Sequence, residues 1–355
     1  MKKIVLLFAS LSLLSAAVFA QSYEVYNELG SDIVRLVPRA NAKVRFAGFY
    51  DEVYGRVSSS IYTAEARYRL GMDPVGEDHF NLTNVTSRLR ANVWFRPASF
   101  MELVLGNDYY MAVPGSYMVV YDEYLDGGRY GKNGFGMSFI PVDFIQFGFS
   151  IPEQGGVTFK DDFNLKFNLG GNFNINNIAN VGVSFLGAVG GNQTVGIYGN
   201  YIGSKDFYIG GGYTYDAKSL AVQTDYYDGN TSDHLIDVTG KFNFNVFRFG
   251  FDFEIGFQNE DRLYDKTPLY VGLLFELNPA DNFLVKVDGY YKASNISDGH
   301  YNRTEIQVYP RVIVDLTSRD ELGAGFEFTM VEEATVDNTY HNGFAIPVYW
   351  KHYFN

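Results

Sequence analysis

Strict alternation between apolar and polar residues is the feature that most constrains the fold of this chain. In residues 247–257 every odd position is apolar, and every even position is charged or glycine. A helix would spread both sets over all of its sides, whereas a strand separates them onto two faces. Similar runs occupy 162–170, 235–246, 282–292, 304–316 and 321–330. The sequence therefore predicts many strands that are apolar on one face.

The length of these runs distinguishes two kinds of β protein. Strands of soluble proteins usually end after about five or six residues, whereas a tilted strand that crosses a bilayer needs about nine to eleven. Spanning strands must also close into a ring, because lipid leaves an open sheet edge unsatisfied. The prediction is an all-β fold, a transmembrane antiparallel up-and-down β-barrel. A soluble sandwich or solenoid is the alternative, but it rarely joins so many long strands in succession.

Turn signals between the runs give the number of strands. Outer-membrane barrels join strands by short periplasmic turns and longer outside loops, and this alternation gives about sixteen strands here. The count starts with a strand near 55–70 and ends with 342–354. This count requires 135–151 to be one long strand. The alternative interpretation is a hairpin with its turn at Pro141–Asp143. The count also places a short periplasmic turn at Asp216–Lys218.

The N-terminus predicts export. Lys2 and Lys3 precede an apolar stretch, and Val18 and Ala20 form a small-residue cleavage site. This is the pattern of a removable signal peptide, here 1–20, and the stretch is short for a spanning helix. The barrel is assigned to 54–355. Three roles stay open for the segment 21–53, namely a plug, a periplasmic arm or two extra strands.

The composition excludes several classes of protein. The chain has no Cys, which excludes disulfides, thiolate nucleophiles, Cys-ligated metals and a lipid-anchored Cys. Its 28 basic and 41 acidic residues give a net charge of −13, which argues against nucleic acid as a partner. The five His show no metal-ligand spacing, and no catalytic Ser/His or Asp/His pairing is found. We therefore expect no enzyme activity, no cofactor and no metal site.

The C-terminal strand, 342–354, carries a resemblance to a known class. The residues on its apolar face are Phe344, Ile346, Val348, Trp350 and Phe354. It resembles the last strand of the outer-membrane barrels that the bacterial assembly machinery recognises, although Asn355 follows the final aromatic residue here. The architecture resembles bacterial porins, and the Lys-Lys signal with Tyr/Phe/Gly-rich strands resembles spirochaetal outer-membrane proteins. The resemblance implies an outer-membrane location, contact with outer-membrane lipid and with the assembly machinery, and a homotrimer.

The polar faces of the strands are candidates for the lining of a pore. A ring of about sixteen strands leaves a water-filled channel, and a lipid-facing Arg or Lys costs roughly 2–4 kcal/mol. Asp252 and Glu254 are acidic candidates for this lining. Their spacing would also suit a Ca²⁺ site or acid–base catalysis, and the pore lining is the favoured interpretation. The basic candidates lie on the first two predicted strands and are Arg67, Arg69, Arg88, Arg90 and Arg96. The alternative interpretation is that these arginines form ion pairs with Glu65 and other carboxylates of the wall.

The longest predicted outside loop, 111–133, is acidic. It carries Asp122, Glu123 and Asp126, together with Arg129. The resemblance to general porins implies that one long loop folds into the barrel and constricts it opposite an arginine-rich wall. In that family the loop follows a later strand than it does here. A solvated outside loop is the alternative interpretation.

Three functions are compatible with these features. The favoured one is an outer-membrane porin through which small hydrophilic solutes and ions diffuse passively, with a mild cation preference from its inward carboxylates. The second is a substrate-specific transporter of the fatty-acid type, which would use 21–53 as a plug. The third is a surface-exposed structural or adhesive barrel whose loops bind a partner.

Overall fold

The chain is almost entirely β-strand wherever its structure is described. The computed structural model describes residues 22–36, 44, 49–72, 85–110, 132–152, 157–158, 164–188, 193–216, 234–257, 267–296, 303–333 and 339–354. The strand pairings within these residues are antiparallel. In this part of the chain no helix is both long enough and apolar enough to cross a membrane.

The described strands follow one another at short intervals. They are β1 (Ser22–Leu36), β2 (Phe49–Ser58), β3 (Tyr62–Met72), β4 (Val85–Ala98), β5 (Met101–Tyr110), β6 (Lys132–Val142), β7 (Ile145–Pro152), β8 (Asn164–Ile175), β9 (Ala179–Ala188), β10 (Gln193–Tyr201), β11 (Phe207–Asp216), β12 (His234–Phe244), β13 (Phe247–Phe257), β14 (Leu269–Ala280), β15 (Phe283–Ala293), β16 (Arg303–Asp315), β17 (Asp320–Gly325 with Glu327–Glu333) and β18 (Thr339–Tyr353). A two-residue piece, Val157–Thr158, pairs with the start of β8 and lies outside this series.

These eighteen strands of the described residues form one closed ring. Each strand pairs with its neighbours in sequence, and β1 pairs with both β2 and β18. The pairing of β1 with β18 joins the two ends of the sheet, so the ring has no unpaired edge strand. The predicted fold class, an all-β antiparallel up-and-down barrel, is confirmed, and the number of strands is eighteen rather than about sixteen.

Three local differences account for the corrected number. The segment 21–53 supplies β1 and the first half of β2. Residues 143–144 turn the run 135–151 into the hairpin of β6 and β7. Asp216 ends β11, which pairs directly with β12, so the predicted short turn at Asp216–Lys218 is wrong.

The register explains why the hairpin of β6 and β7 was hidden in the sequence. Phe139 pairs with Phe147, and Met137 pairs with Phe149. Odd positions therefore face odd positions, and both arms carry their apolar residues on the same parity. One continuous strand would show the same pattern, because alternation reports the face of a residue and not the direction of the chain.

One rim of the barrel carries tight connections, and we call it the short-turn rim. These connections are 59–61, 99–100, 143–144, 176–178, 202–206, 245–246, 281–282 and 316–319. Asn176 and Asn177 have φ of 51° and 58°, and the N–H of Ile178 donates to the carbonyl oxygen of Ile175 at 2.8 Å. Two successive left-handed residues make a turn whose twist matches the twist of a hairpin, and Asn tolerates that conformation.

The outward face of the ring is apolar. Leu105, for example, is 64% exposed. Aromatic rings meet on this face near the short-turn rim, where Phe100 and Phe139 have centroids 5.3 Å apart and Phe144 and Phe173 have centroids 5.6 Å apart. Barrels in membranes carry such aromatic girdles at the lipid–water boundary. The outward face is therefore suited to lipid.

The interruption of β17 at Phe326 lies beside Pro310 of β16. The N–H of Phe326 donates to the carbonyl oxygen of Pro310 at 3.0 Å, but proline has no N–H to return. The ladder between the two strands loses a bond at this point. Proline is tolerated within a sheet where the pairing is irregular in this way.

Candidate functional site: the inner wall

The burial of alternating residues fixes which face points inward. In β13 the carboxylates Asp252 and Glu254 are only 1% and 5% exposed, although both are charged. Phe253, the apolar residue between them, belongs to the outward parity, together with Phe257, which is exposed. This inversion of polarity is what a barrel in lipid requires. We call the inward face of the ring the inner wall.

The structure brings predicted basic residues together on β3 and β4. Arg67 stands directly opposite Arg90, and Arg69 stands opposite Arg88. For Arg88 the structure describes the backbone position alone. Like charges placed opposite each other on two strands are unfavourable unless something compensates them. We call these four residues the basic patch.

Contacts within the wall hold two of these guanidinium groups. Nε of Arg67 lies 3.5 Å from Oε1 of Glu52, and the Arg67 side chain stays 42% exposed. The guanidinium carbon of Arg69 lies 3.7 Å from the ring centroid of Tyr50, a cation–π contact. The basic patch is therefore tied to β2.

Arg96 is held differently from the basic patch. Its Nε lies 2.6 Å from Oε2 of Glu102, and its Nη1 donates to Oγ1 of Thr63 at 3.1 Å. Glu65, the partner that the sequence suggested for the arginines, accepts hydrogen bonds from Nδ2 of Asn92 at 2.9 Å and from the hydroxyl of Tyr54 at 3.2 Å. Wall carboxylates thus engage Arg67 and Arg96, but the carboxylates are Glu52 and Glu102.

Three carboxylates meet on β12 and β13. Glu254 stands opposite Asp237, and Asp252 stands opposite Thr239. Asp252 and Glu254 were sequence candidates for the pore lining, and the register adds Asp237 to them. We call Asp237, Asp252 and Glu254 the acidic patch.

The two patches lie on opposite sides of the barrel. From β3 to β12, and likewise from β4 to β13, there are nine steps in either direction round the ring of eighteen strands. Both β3 and β13 start at the short-turn rim, and Arg67 and Asp252 are each the sixth residue of their strand. The patches therefore face each other across the barrel at similar depth.

Many other inward charges form ion pairs between neighbouring strands. Glu276 of β14, for example, binds both Arg248 of β13 and Lys286 of β15. The sequence counted such carboxylates toward a cation preference, but these pairs offset their charge. Their N–O distances are 2.7 Å for Arg248–Glu276, 3.6 Å for Lys286–Glu276, 3.2 Å for Lys292–Glu305 and 3.2 Å for Arg311–Asp288.

An aromatic cluster lines the wall where the ring closes. The rings of Tyr26 and Tyr54 stack with centroids 4.9 Å apart, and Tyr26 meets Tyr353 edge-on at 5.8 Å. Nζ of Lys351 lies 3.8 Å from the centroid of Tyr26. Sequence reasoning missed this cluster because it started the assigned barrel at residue 54 and kept extra strands as only one of three roles for 21–53. The alternation of Tyr26, Glu28 and Gly30 with the apolar Val25 and Leu29 was a partial signal, which Asn27 interrupts.

Some predicted site residues lie outside the described part of the chain. These are the candidate constriction residues Asp122, Glu123, Asp126 and Arg129. Among the described residues there is no group of three or more acidic or His side chains placed to hold a metal ion.

Comparison with known proteins relates this barrel to solved structures. No protein family model and no curated protein matches the chain. OccK2 (OpdF) of Pseudomonas aeruginosa superposes with a TM-score of 0.60 at 9% identity, over 95% of this chain and 99% of that chain.

Two further crystal structures are similar to the same extent. The outer membrane protein opdK of Pseudomonas aeruginosa gives a TM-score of 0.58 at 8% identity, over 94% of this chain and 100% of that one. OccAB3 of Acinetobacter baumannii gives 0.57 at 9% identity, over 94% and 100%. At such identities the likeness concerns the fold, and it shows that this chain folds as the porin-type β-barrels of the bacterial outer membrane do.

Proposed function

We propose that this protein is an outer-membrane porin, a channel rather than an enzyme, through which small hydrophilic solutes and ions diffuse passively. The observation that carries the proposal is the distribution of polarity in a closed ring. Apolar side chains cover the outward face, whereas charged, amide and hydroxyl side chains line the inner wall. A barrel of this strand number is wide enough to enclose an aqueous path.

The opposed patches add a function to the wall. Cations on β3 and β4 face carboxylates on β12 and β13, so the electric field at mid-depth points across the barrel. Field lines concentrate in water that is enclosed by low-dielectric walls. A solute with separated charges or a large dipole would turn to align with this field as it passes. The patches thus favour polar solutes over apolar ones of equal size.

The proposal includes a location and a route of assembly. We place the mature chain in the bacterial outer membrane, in contact with its lipid, after removal of the signal peptide 1–20. The last strand is the part that the assembly machinery would read, and its outward Trp350 and Phe354 are 43% and 56% exposed. A homotrimer and a spirochaetal source belong to the same proposal and rest on the resemblance of the sequence.

The test is single-channel conductance of the mature chain after refolding and insertion into a planar bilayer. We expect discrete, long-lived steps whose size rises in proportion to the salt concentration. A barrel that is folded, as judged by a heat-dependent shift in gel mobility, but that gives no steps would contradict the porin function.

The alternative of a plugged transporter loses its main structural support. The described residues 22–36 and 49–53 of the segment 21–53 lie in β1 and β2 of the wall, which argues against a plug formed by this segment. If the folded barrel does not conduct, the result would favour a surface-exposed adhesive barrel as the function. Its binding would then map to the loops opposite the short-turn rim.

A further inference from the structure

One third of the inner wall differs from the rest. On β6 to β11, between the rims, no described inward side chain is charged. Glycine, serine, amide and tyrosine residues occupy these described positions, and we call this set of positions the neutral arc. Its polar members are Ser138, Gln146, Asn172, Asn174, Asn180, Tyr198, Asn200 and Tyr208.

A tyrosine crosses the middle of the neutral arc. Tyr198 of β10 stands opposite Gly182 of β9, which stands opposite Asn172 of β8. A Cβ on Gly182 would overlap the ring of Tyr198, so the ring lies over this glycine. Its hydroxyl donates to Oδ1 of Asn172 at 3.3 Å. The ring therefore lies along the wall rather than across the lumen, and it bridges two strand spacings, about 9–10 Å.

Amide groups extend this row toward β11, and we call the row a track. Nδ2 of Asn172 donates to Oδ1 of Asn180 at 3.5 Å. Asn180 stands opposite Asn200, whose Nδ2 donates to the hydroxyl of Tyr208 at 3.3 Å. The track thus runs from β8 to β11 through amides and hydroxyls.

One acceptor in the track has no donor. Oδ1 of Asn200 is buried and has no hydrogen-bond partner, and the whole residue is only 8% exposed. Buried amide oxygens in native structures usually accept a hydrogen bond. Asn200 has inward parity, so this unsatisfied acceptor belongs to the inner wall.

We propose that the neutral arc is a binding track for uncharged polyhydroxylated solutes, that is, sugars or polyols. This inference rests on the proposed porin function. Hydroxyl groups donate and accept, as the amides and tyrosine hydroxyls of the track do. The solute binds there without desolvation of an ion, which is the costly step on the charged parts of the wall.

The register connects the track to the acidic patch. Gly212 of β11 stands opposite both Tyr198 and Asp237, and a Cβ at this glycine would lie 3.3 Å from Oδ2 of Asp237. A carboxylate is a strong acceptor for solute hydroxyls. A solute on the track therefore reaches the acidic patch at its end.

The test is the interruption of ion current by three hexose sugars of similar size that share the pyranose ring. Glucose is uncharged, glucosamine is a cation and glucuronate is an anion. We expect glucose to interrupt the current through the wild-type channel most strongly. The variant Tyr198→Phe removes the hydroxyl that binds Asn172, and glucose should then bind about two- to tenfold more weakly.

The matched control is Tyr349→Phe. Tyr349 also lies over a glycine, Gly323, but its hydroxyl donates to Glu321 at 2.7 Å on the charged part of the wall. This variant should leave glucose binding unchanged. Equal interruption by the three hexoses, or equal effects of the two variants, would overturn the inference while the channel itself still conducts.

A second measurement keeps the inference testable if no channel forms. Calorimetry of glucose binding to the refolded wild-type barrel and to both variants does not depend on conductance. Binding that is weakened by Tyr198→Phe and not by Tyr349→Phe would support the track even though the porin proposal had failed. No binding of glucose to a folded wild-type barrel would overturn the track.

Discussion

Arg67 and Asp252 stand on strands that are ten steps apart one way and eight the other way round a ring of eighteen, at the same residue count from the short-turn rim. Their neighbours stand half a ring away. Arg90 of β4, which is opposite Arg67, is nine strands from β13, and Asp237 of β12, in the acidic patch, is nine strands from β3. Opposite charges therefore face each other across the lumen, and the wall, rather than a loop, supplies both.

The first prediction concerns ion selectivity. Removal of charge from the acidic patch by Asp252→Asn with Glu254→Gln should move the reversal potential in a KCl gradient toward anion preference, because the cations opposite are then unbalanced. Arg67→Gln should move it toward cation preference. Shifts of the same sign in both variants would show that the two patches do not act on one path.

The second prediction concerns a buried ion pair. Nη2 of Arg311 lies 3.2 Å from Oδ1 of Asp288, and the two side chains are 9% and 3% exposed. The single variant Asp288→Asn should lower the free energy of unfolding by about 3–5 kcal/mol, because a buried cation loses its partner. The double variant with Arg311→Gln should recover part of this loss. Urea unfolding of the barrel in liposomes measures both, and purely additive losses would argue against coupling.

The third prediction concerns the glycine beneath Tyr198. Gly182→Leu puts a side chain where the ring lies, so the ring must move toward the lumen and single-channel conductance should fall. Gly171→Leu is the matched control, because Gly171 has outward parity and a Cβ there would meet its nearest atom, in Phe147, at 3.7 Å, an ordinary contact. A conductance unchanged by Gly182→Leu in a folded barrel would mean that this part of the wall does not limit the path.

The fourth prediction tests the lipid-facing side. Phe251 lies in the middle of β13 on the outward parity, and Phe251→Arg should cost roughly 2–4 kcal/mol in the free energy of folding into a bilayer. Phe244→Arg at the short-turn rim should cost only about 0–1 kcal/mol, because the charge reaches water there. Equal costs, measured by unfolding in lipid vesicles, would contradict the placement of the short-turn rim at the membrane boundary.

Most of the fold could be predicted from local patterns, but two errors show the limit of this approach. The arms of β6 and β7 share one parity, so Phe139 and Phe147 were indistinguishable from residues of a single strand. The segment 21–53 has alternation too, yet nothing local shows that Tyr26 pairs with Tyr54 on one side and with Tyr353 on the other.

For the candidate site too, the sequence predicted which residues face inward but not which residues they contact. The sequence placed Arg67, Arg69, Asp252 and Glu254 on the polar faces of strands. It did not pair Lys286 with Glu276, or Arg311 with Asp288, because these partners lie on adjacent strands and meet only in one register. Its estimate of cation preference counted these carboxylates as though they had no partners.

The sequence by itself determined that this chain forms strands, that each strand has an apolar and a polar face, and that the strands must close in lipid. The reason is that alternation is a property of consecutive residues. Only the tertiary structure decided that eighteen strands close the ring, that the basic patch faces the acidic patch, and that Tyr198 reaches Asn172 across Gly182. These relationships depend on which strands are neighbours and in which register, and those are set by contacts between residues far apart in the chain.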